Sequence, residues 1–291
     1  MSDVLEATTP LPDRTIRYAD HDDAVVDLHL PPGGEGPLLF LIHGGFWKAA
    51  YDRLHTRPMA AALAARGWTV ATPEYRRVGA GGGWPTTYDD IRTAFDATLT
   101  STLGDRAASE ARVPGGRAVS EARVPGGRAA SAEPPTPGGR AASAKPRRTT
   151  RPTAVVTGHS AGGHLALLLA ADDPRVTGVV PLAPVCDLQA AVDLNLGDGA
   201  AARFLDGAAA RFLDGAPTED ADPIKRTYRA PVALVHGTAD DTVPITLARA
   251  FALWHPETRL VELDCGHYEP IDPDDPAFAA YAATLDSMSA T

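Results

Sequence analysis

Residues 157–165 read T-G-H-S-A-G-G-H-L, with Ser160 standing between Gly158 and Gly162. The stretch lies at a seam. Thr153–Thr157 before it is short, apolar and rich in valine, as a strand covered on both faces should be. Ala161–Ala171 after it has the composition of a helix. A sharp strand-to-helix turn forces the residue at its corner into a strained backbone conformation. Side chains two positions before and after that corner would collide with the neighbouring strand and helix. Glycine at 158 and 162 removes those side chains, and the helix that starts after the serine aims its N-terminal N–H groups back at it.

Working outward, the same alternation recurs along the chain. Strand-like runs are Leu38–Ile42, Trp68–Thr72, Thr153–Thr157, Gly178–Leu182, Val232–Val235 and Leu260–Leu263. Helix-like stretches lie between and after them at Thr56–Arg66, Tyr88–Thr102, Ala161–Ala171, Ile245–Trp254 and Phe278–Met288. Alternation of this kind predicts an α/β fold with a mostly parallel sheet, right-handed crossovers and helices on both faces. Two earlier runs, Thr15–Tyr18 and Val25–Leu30, fit an antiparallel edge. The 291 residues suffice for one large domain of this class.

In such a sheet ligands bind beyond the carboxyl ends of the strands, and three further strand ends carry polar chemistry. Leu38–Ile42 runs into H-G-G-F-W at 43–47. There the backbone N–H groups of Gly45 and Phe46, with that of Ala161, are candidates to hold an oxyanion. Val232–Val235 runs into H-G-T-A-D-D-T-V-P, which offers Asp240 as a triad acid and leaves Asp241 to cap the following helix. The last strand-like run ends at L-D-C-G-H-Y, which offers His267 as the base that takes the Ser160 proton. Trp47, Tyr75, Trp84 and Tyr88 are candidate pocket aromatics, with ordinary core packing as the alternative for each. Among the other histidines, His43, His159, His164, His236 and His255 read as structural or surface groups.

Composition closes off other chemistries. A formal charge of −10 argues against a general nucleic-acid binder. Two cysteines make neither a disulfide framework nor a zinc site, and no H-x-x-x-H, phosphate-loop or dinucleotide pattern is present. No metal and no cofactor is therefore expected. The first residues lack the features of a secretory signal, and no apolar run approaches the roughly 20 residues of a membrane helix, so a cytoplasmic protein without membrane contact is expected.

Two segments repeat. A-R-V-P-G-G-R-A occurs at 111–118 and at 122–129, inside a stretch, 105–151, that holds ten Arg or Lys against four Asp or Glu. Its only large aliphatics are three valines, so it cannot offset the entropy of ordering and is expected to be a disordered insertion. G-A-A-A-R-F-L-D fills 199–206 and again 207–214, where glycines at 199, 207 and 215 suggest two short helical pieces with breaks.

Taken together these stretches resemble the α/β-hydrolase family over nearly the whole chain apart from 105–151. G-H-S-A-G at 158–162 matches its elbow, H-G-G-F-W its oxyanion turn, Asp240 its acid and His267 its base. The aromatic and tryptophan after H-G-G are similar to the branch holding kynurenine formamidase and small carboxylesterases. The resemblance implies a single-domain serine hydrolase of small esters or an aryl formamide, with a possible cap at 187–228. The stretch H-G-x-x-D-x-x-V-P also resembles prolyl-oligopeptidase-like hydrolases, which keeps a peptidase as an alternative, although no propeller-sized N-terminal domain accompanies it. An alternative of another class is a binding protein that keeps the fold without catalysis.

Overall fold

The computed structural model describes residues 10–111, 153–209 and 219–289. Its centre is one eight-stranded sheet: β1 Arg14–Arg17, β2 Val25–His29, β3 Leu38–Ile42, β4 Thr69–Pro73, β5 Ala154–His159, β6 Val176–Leu182, β7 Ala233–Gly237 and β8 Arg259–Leu263. The spatial order is β1-β2-β4-β3-β5-β6-β7-β8. β1 and β2 pair antiparallel with each other, and β2 pairs antiparallel with β4. From β4 to β8 every pairing is parallel. The antiparallel edge and the parallel centre are those expected from the pattern of runs.

The central strands are buried on both faces because each face is covered by helices. Successive side chains of a strand point to opposite faces, and β3 shows what that does. Leu38, Phe40 and Ile42 enter one core, and Leu39 and Leu41 the other. The first core is closed by α2 (Thr86–Ala111), α3 (Ala161–Asp172) and α6 (Thr246–Trp254), through side chains such as Phe95, Leu165 and Phe251. The second is closed by α1 (Arg57–Ala65) and α7 (Pro276–Ser289), through Met59, Leu63, Tyr281 and Leu285. β3 has a buried pattern at all five positions, which is why it reads as a continuous apolar run rather than an alternating one.

Two elements differ from expectation. α2 runs on through Ala111, whereas the composition places the insertion from Asp105. The residues at the junction, D-R-A-A-S-E-A, include good helix formers and extend the preceding helix before glycine and proline appear. The rest of the expected insertion lies outside the described residues. Between β6 and β7 come α4 (Leu188–Asp193) and α5 (Leu196–Ala209). α5 is interrupted near its start, where Gly197, Asp198 and Gly199 all have left-handed backbone angles, but it continues through Gly207, where the sequence suggested a break. In the first copy of the octapeptide, Ala200, Ala201, Phe204 and Leu205 are buried. Phe212 and Leu213 of the second copy lie outside the described residues.

Candidate active site

Ser160 occupies the corner between β5 and α3, with φ 56° and ψ −117°. For a residue with a side chain this conformation costs on the order of 1–3 kcal/mol, and it persists only where the surroundings over-determine it. The surroundings are close. A Cβ on Gly162 would stand 2.2 Å from the Ile42 carbonyl oxygen, and one on Gly158 would stand 2.4 Å from the Gly162 carbonyl oxygen. Only glycine at both positions lets β3, β5 and α3 approach this closely. The corner is also pinned by hydrogen bonds: Ser160 N–H donates to Leu182 O at 2.8 Å, and Ser160 O accepts from His164 N–H and from Val185 N–H.

The two other candidate residues meet each other. His267 Nδ1–H donates to Asp240 Oδ2 at 2.6 Å. The other carboxylate oxygen of Asp240 accepts from the backbone N–H groups of Thr242 (2.9 Å) and Val243 (2.8 Å). His236 Nε2 lies 3.3 Å from Asp240 Oδ2 and donates to Val243 O. Burial alone would push the Asp240 carboxyl up. The nearby imidazoles of His236 and His267 and the Val243 N–H outweigh it and hold Asp240 below the ordinary carboxylate range. The His267 loop docks on the elbow through the residue next to the serine: His159 Nε2–H donates to His267 O at 2.9 Å, and the two rings lie 4.4 Å apart. Burial, then the neighbouring His267, keep His159 neutral by holding it well below the usual imidazole range. Ser160, Asp240 and His267 are 2, 9 and 4 % exposed, so all three are screened from bulk water.

The expected division of labour between the two aspartates needs one correction. Asp241 is exposed and, among the described residues, its side chain accepts from the Thr242 hydroxyl, while α6 begins later, at Thr246, without a side-chain cap. Asp240 itself holds the turn with one oxygen and His267 with the other.

The turn after β3 lies against the elbow: a Cβ on Gly44 would meet His159 O at 2.7 Å and the Ser160 Cβ at 3.3 Å. Gly45, Phe46 and Trp47 follow with φ of 106°, 52° and 54°. The turn is anchored from below by His43. Its Nδ1 faces Gly44 O and its Nε2 faces Glu74 Oε1, both at 2.9 Å. Burial would raise Glu74. His43, the Arg53 N–H and the Arg77 charge outweigh it and bring the carboxyl down to about 2. Glu74 was not singled out by sequence reasoning. Its signal is a lone carboxylate directly after the apolar run of β4, where a charge must have a partner if it is to be buried.

The four pocket candidates fall in different places. Tyr75 is fully buried, stacks on His43 at 4.2 Å and donates its hydroxyl to His43 O. Trp47 is 1 % exposed and stacks on Phe204. Tyr88 is buried, with its hydroxyl on Asp172. Trp84 is half-buried, stacked on Tyr88 and edge-on to Phe204. Tyr75 thus supports the turn from beneath, while Trp47, Trp84 and Tyr88 form one aromatic run beneath α5. Among the described residues no group of three or more His, Cys, Asp or Glu is placed to hold a metal ion. No helix among them is long and apolar enough to cross a membrane.

No protein-family model matches the sequence, and a search of curated proteins finds no match. Solved structures do match. A truncated carbohydrate esterase from gut microbiota is 15 % identical, aligns over 98 % of this chain and 100 % of that one, and has a TM-score of 0.68. Esterase B from Lactobacillus rhamnosis is 17 % identical over 99 % of this chain and 89 % of its own, with a TM-score of 0.65. Esterase 2 from Thermogutta terrifontis, phosphonylated by sarin, is 17 % identical over 97 % and 95 %, with a TM-score of 0.63. At this level of identity the likeness concerns the backbone. With the strand order and helices on both faces, it shows that this chain has the α/β-hydrolase fold.

Proposed function

We propose that the protein is a serine hydrolase that cleaves small carboxylic esters through an acyl-enzyme on Ser160. The observation that carries this reading is the 2.6 Å bond between His267 Nδ1 and Asp240 Oδ2, with the His267 backbone bonded to the residue next to a serine held in a strained turn. With Nδ1 committed to the carboxylate, Nε2 is the nitrogen that takes the Ser160 proton as Oγ attacks the ester carbonyl. The negative charge that develops on the carbonyl oxygen is met by the N–H groups of Ala161, Gly45 and Phe46. The leaving alcohol takes the proton back from His267, and a water activated by the same imidazole releases the acid. Nothing in the sequence calls for a cofactor in this scheme.

That several structures sharing the fold are esterases, one of them phosphonylated by sarin, supports the same reading. The finer reading as a formamidase rests on the H-G-G-F-W stretch alone.

The test is labelling with a fluorophosphonate, followed by turnover of a short p-nitrophenyl ester, N-formylkynurenine and a prolyl amide. Wild type should label and hydrolyse the ester, and Ser160→Ala should do neither, with kcat lower by roughly 10⁴-fold or more. Asp240→Asn should lower kcat by about 10³–10⁴-fold, while Asp241→Asn leaves it nearly unchanged. Formamide turnover faster than ester turnover would select the formamidase reading. Absence of labelling in folded wild type would favour the binding-protein alternative.

A further inference from the structure

The turn that carries the oxyanion donors is internally strained and externally clamped. Phe46 and Trp47 are side-chain-bearing residues in succession with left-handed backbone angles, 52° and 54°. Such a pair relaxes unless something holds it. Helix α5 touches both. Gly197, in the left-handed opening of α5, lies under the Phe46 ring: a Cβ there would stand 2.7 Å from one ring carbon and 2.9 Å from two more. Seven residues on, Phe204 is fully buried and stacks on Trp47 at 4.4 Å with 20° between the planes.

α5 is itself fixed in place. The Phe204 carbonyl accepts from Trp84 N–H at 2.8 Å. His164, one turn along the nucleophile helix, stands edge-on to both Trp47 (5.1 Å) and Phe204 (5.5 Å) and donates from Nε2 to Ala221 O. Burial keeps that imidazole neutral by bringing it down to about 4. Three rings therefore join α3, the oxyanion turn and α5.

We propose that α5 is a positioning element for catalysis: Gly197 and Phe204 hold Phe46 and Trp47 in the conformation that turns the Gly45 and Phe46 N–H groups toward Ser160. This rests on the hydrolase reading above and extends it to residues that never touch the substrate. Its signature is selective. Loosening the clamp misplaces donors that act on the oxyanion, so it lowers kcat more than it changes KM.

The experiment compares Phe204→Ala, Phe204→Leu and Gly197→Ala with wild type, and with Trp254→Ala on the exposed face of α6 as a control. Three readouts are taken: kcat and KM on a short p-nitrophenyl ester, Ki for an aryl trifluoromethyl ketone whose serine adduct is an oxyanion, and Ki for the matching alcohol, which forms no adduct. Phe204→Ala and Gly197→Ala should lower kcat by roughly tenfold to a hundredfold and weaken the ketone by a similar factor. The alcohol should stay within about twofold, Phe204→Leu should recover part of the loss and Trp254→Ala should change nothing. Thermal melts establish which variants fold; if Phe204→Ala does not, Phe204→Leu and Gly197→Ala carry the test. Folded variants with unchanged kcat, or with ketone and alcohol weakened alike, would overturn the inference. A wild-type protein that neither hydrolyses the ester nor binds the ketone would bring down the hydrolase reading, and this one with it.

Discussion

Two turns at the same rim of the sheet hold side-chain-bearing residues at positive φ, and they are held by different means. The elbow at Ser160 is confined by backbone. Gly158 and Gly162 bring β3, β5 and α3 so close that one added carbon would collide with a carbonyl oxygen. The turn at Gly45–Trp47 is confined mainly by groups that come from far along the chain: the Glu74 side chain through His43 from below, and the Gly197 backbone and Phe204 side chain of α5 from above. A backbone constraint is stiff and local. A side-chain constraint is adjustable and depends on elements that can vary independently. Ser160 is thus held by the sheet and its own helix, whereas the Gly45–Trp47 turn is held by neighbours.

The contrast is open to direct attack. The largest effect should come from Gly162→Ala, because its Cβ would lie 2.2 Å from the Ile42 carbonyl oxygen, where only backbone movement can make room. A loss of about 3 kcal/mol or more, or failure to fold, is expected in a denaturant titration. A variant of near wild-type stability would show that the elbow is softer than its geometry implies.

Glu74→Gln should act through pH. The folded-state pKa of Glu74 is depressed from 4.5 to about 2, so its contribution is present above 4.5 and is lost as pH falls through the folded value. Wild-type stability should therefore fall as pH drops from 4.5 toward about 2. The glutamine variant should be less stable at neutral pH and show a shallower decline on that limb. Equal slopes in the two proteins would detach Glu74 from the support of the turn.

The smallest effect, and of opposite sign, is expected for Ser160→Gly. It relieves the strain at φ 56° and ψ −117°, so it should melt higher than Ser160→Ala by a few degrees, equivalent to about 1 kcal/mol. No difference between the two would mean that the corner stores no strain.

The same contrast explains what could be read from the residues alone. The sheet was legible because short apolar runs such as Leu38–Ile42 are the local mark of a strand buried on both faces. The elbow was legible because its glycines must sit two positions either side of the serine. The proximity of Asp240 to His267 was legible from their places at successive strand ends. The double task of Asp240 was not. Which of two adjacent aspartates faces a turn and which faces water depends on where α6 begins, and Thr246 carries no local signal for that. Nor were the supports of the Gly45–Trp47 turn. Phe204 appears in the sequence as one of two identical copies, and only packing against Trp47 and Trp84 distinguishes it. For Tyr75 and Trp47 the choice between pocket and core stays open in the sequence, because an aromatic beside a site looks the same whether it faces the cavity or the core.

The termini of α2 and β5 place the long segment between Ala111 and Thr153 in relation to the site. β5 begins at Ala154 and runs toward Ser160, so the chain rejoins the described fold at the end of the strand remote from the serine. A reporter, an affinity handle or a second enzyme joined just before β5 would therefore enter the described fold at the rim opposite Ser160.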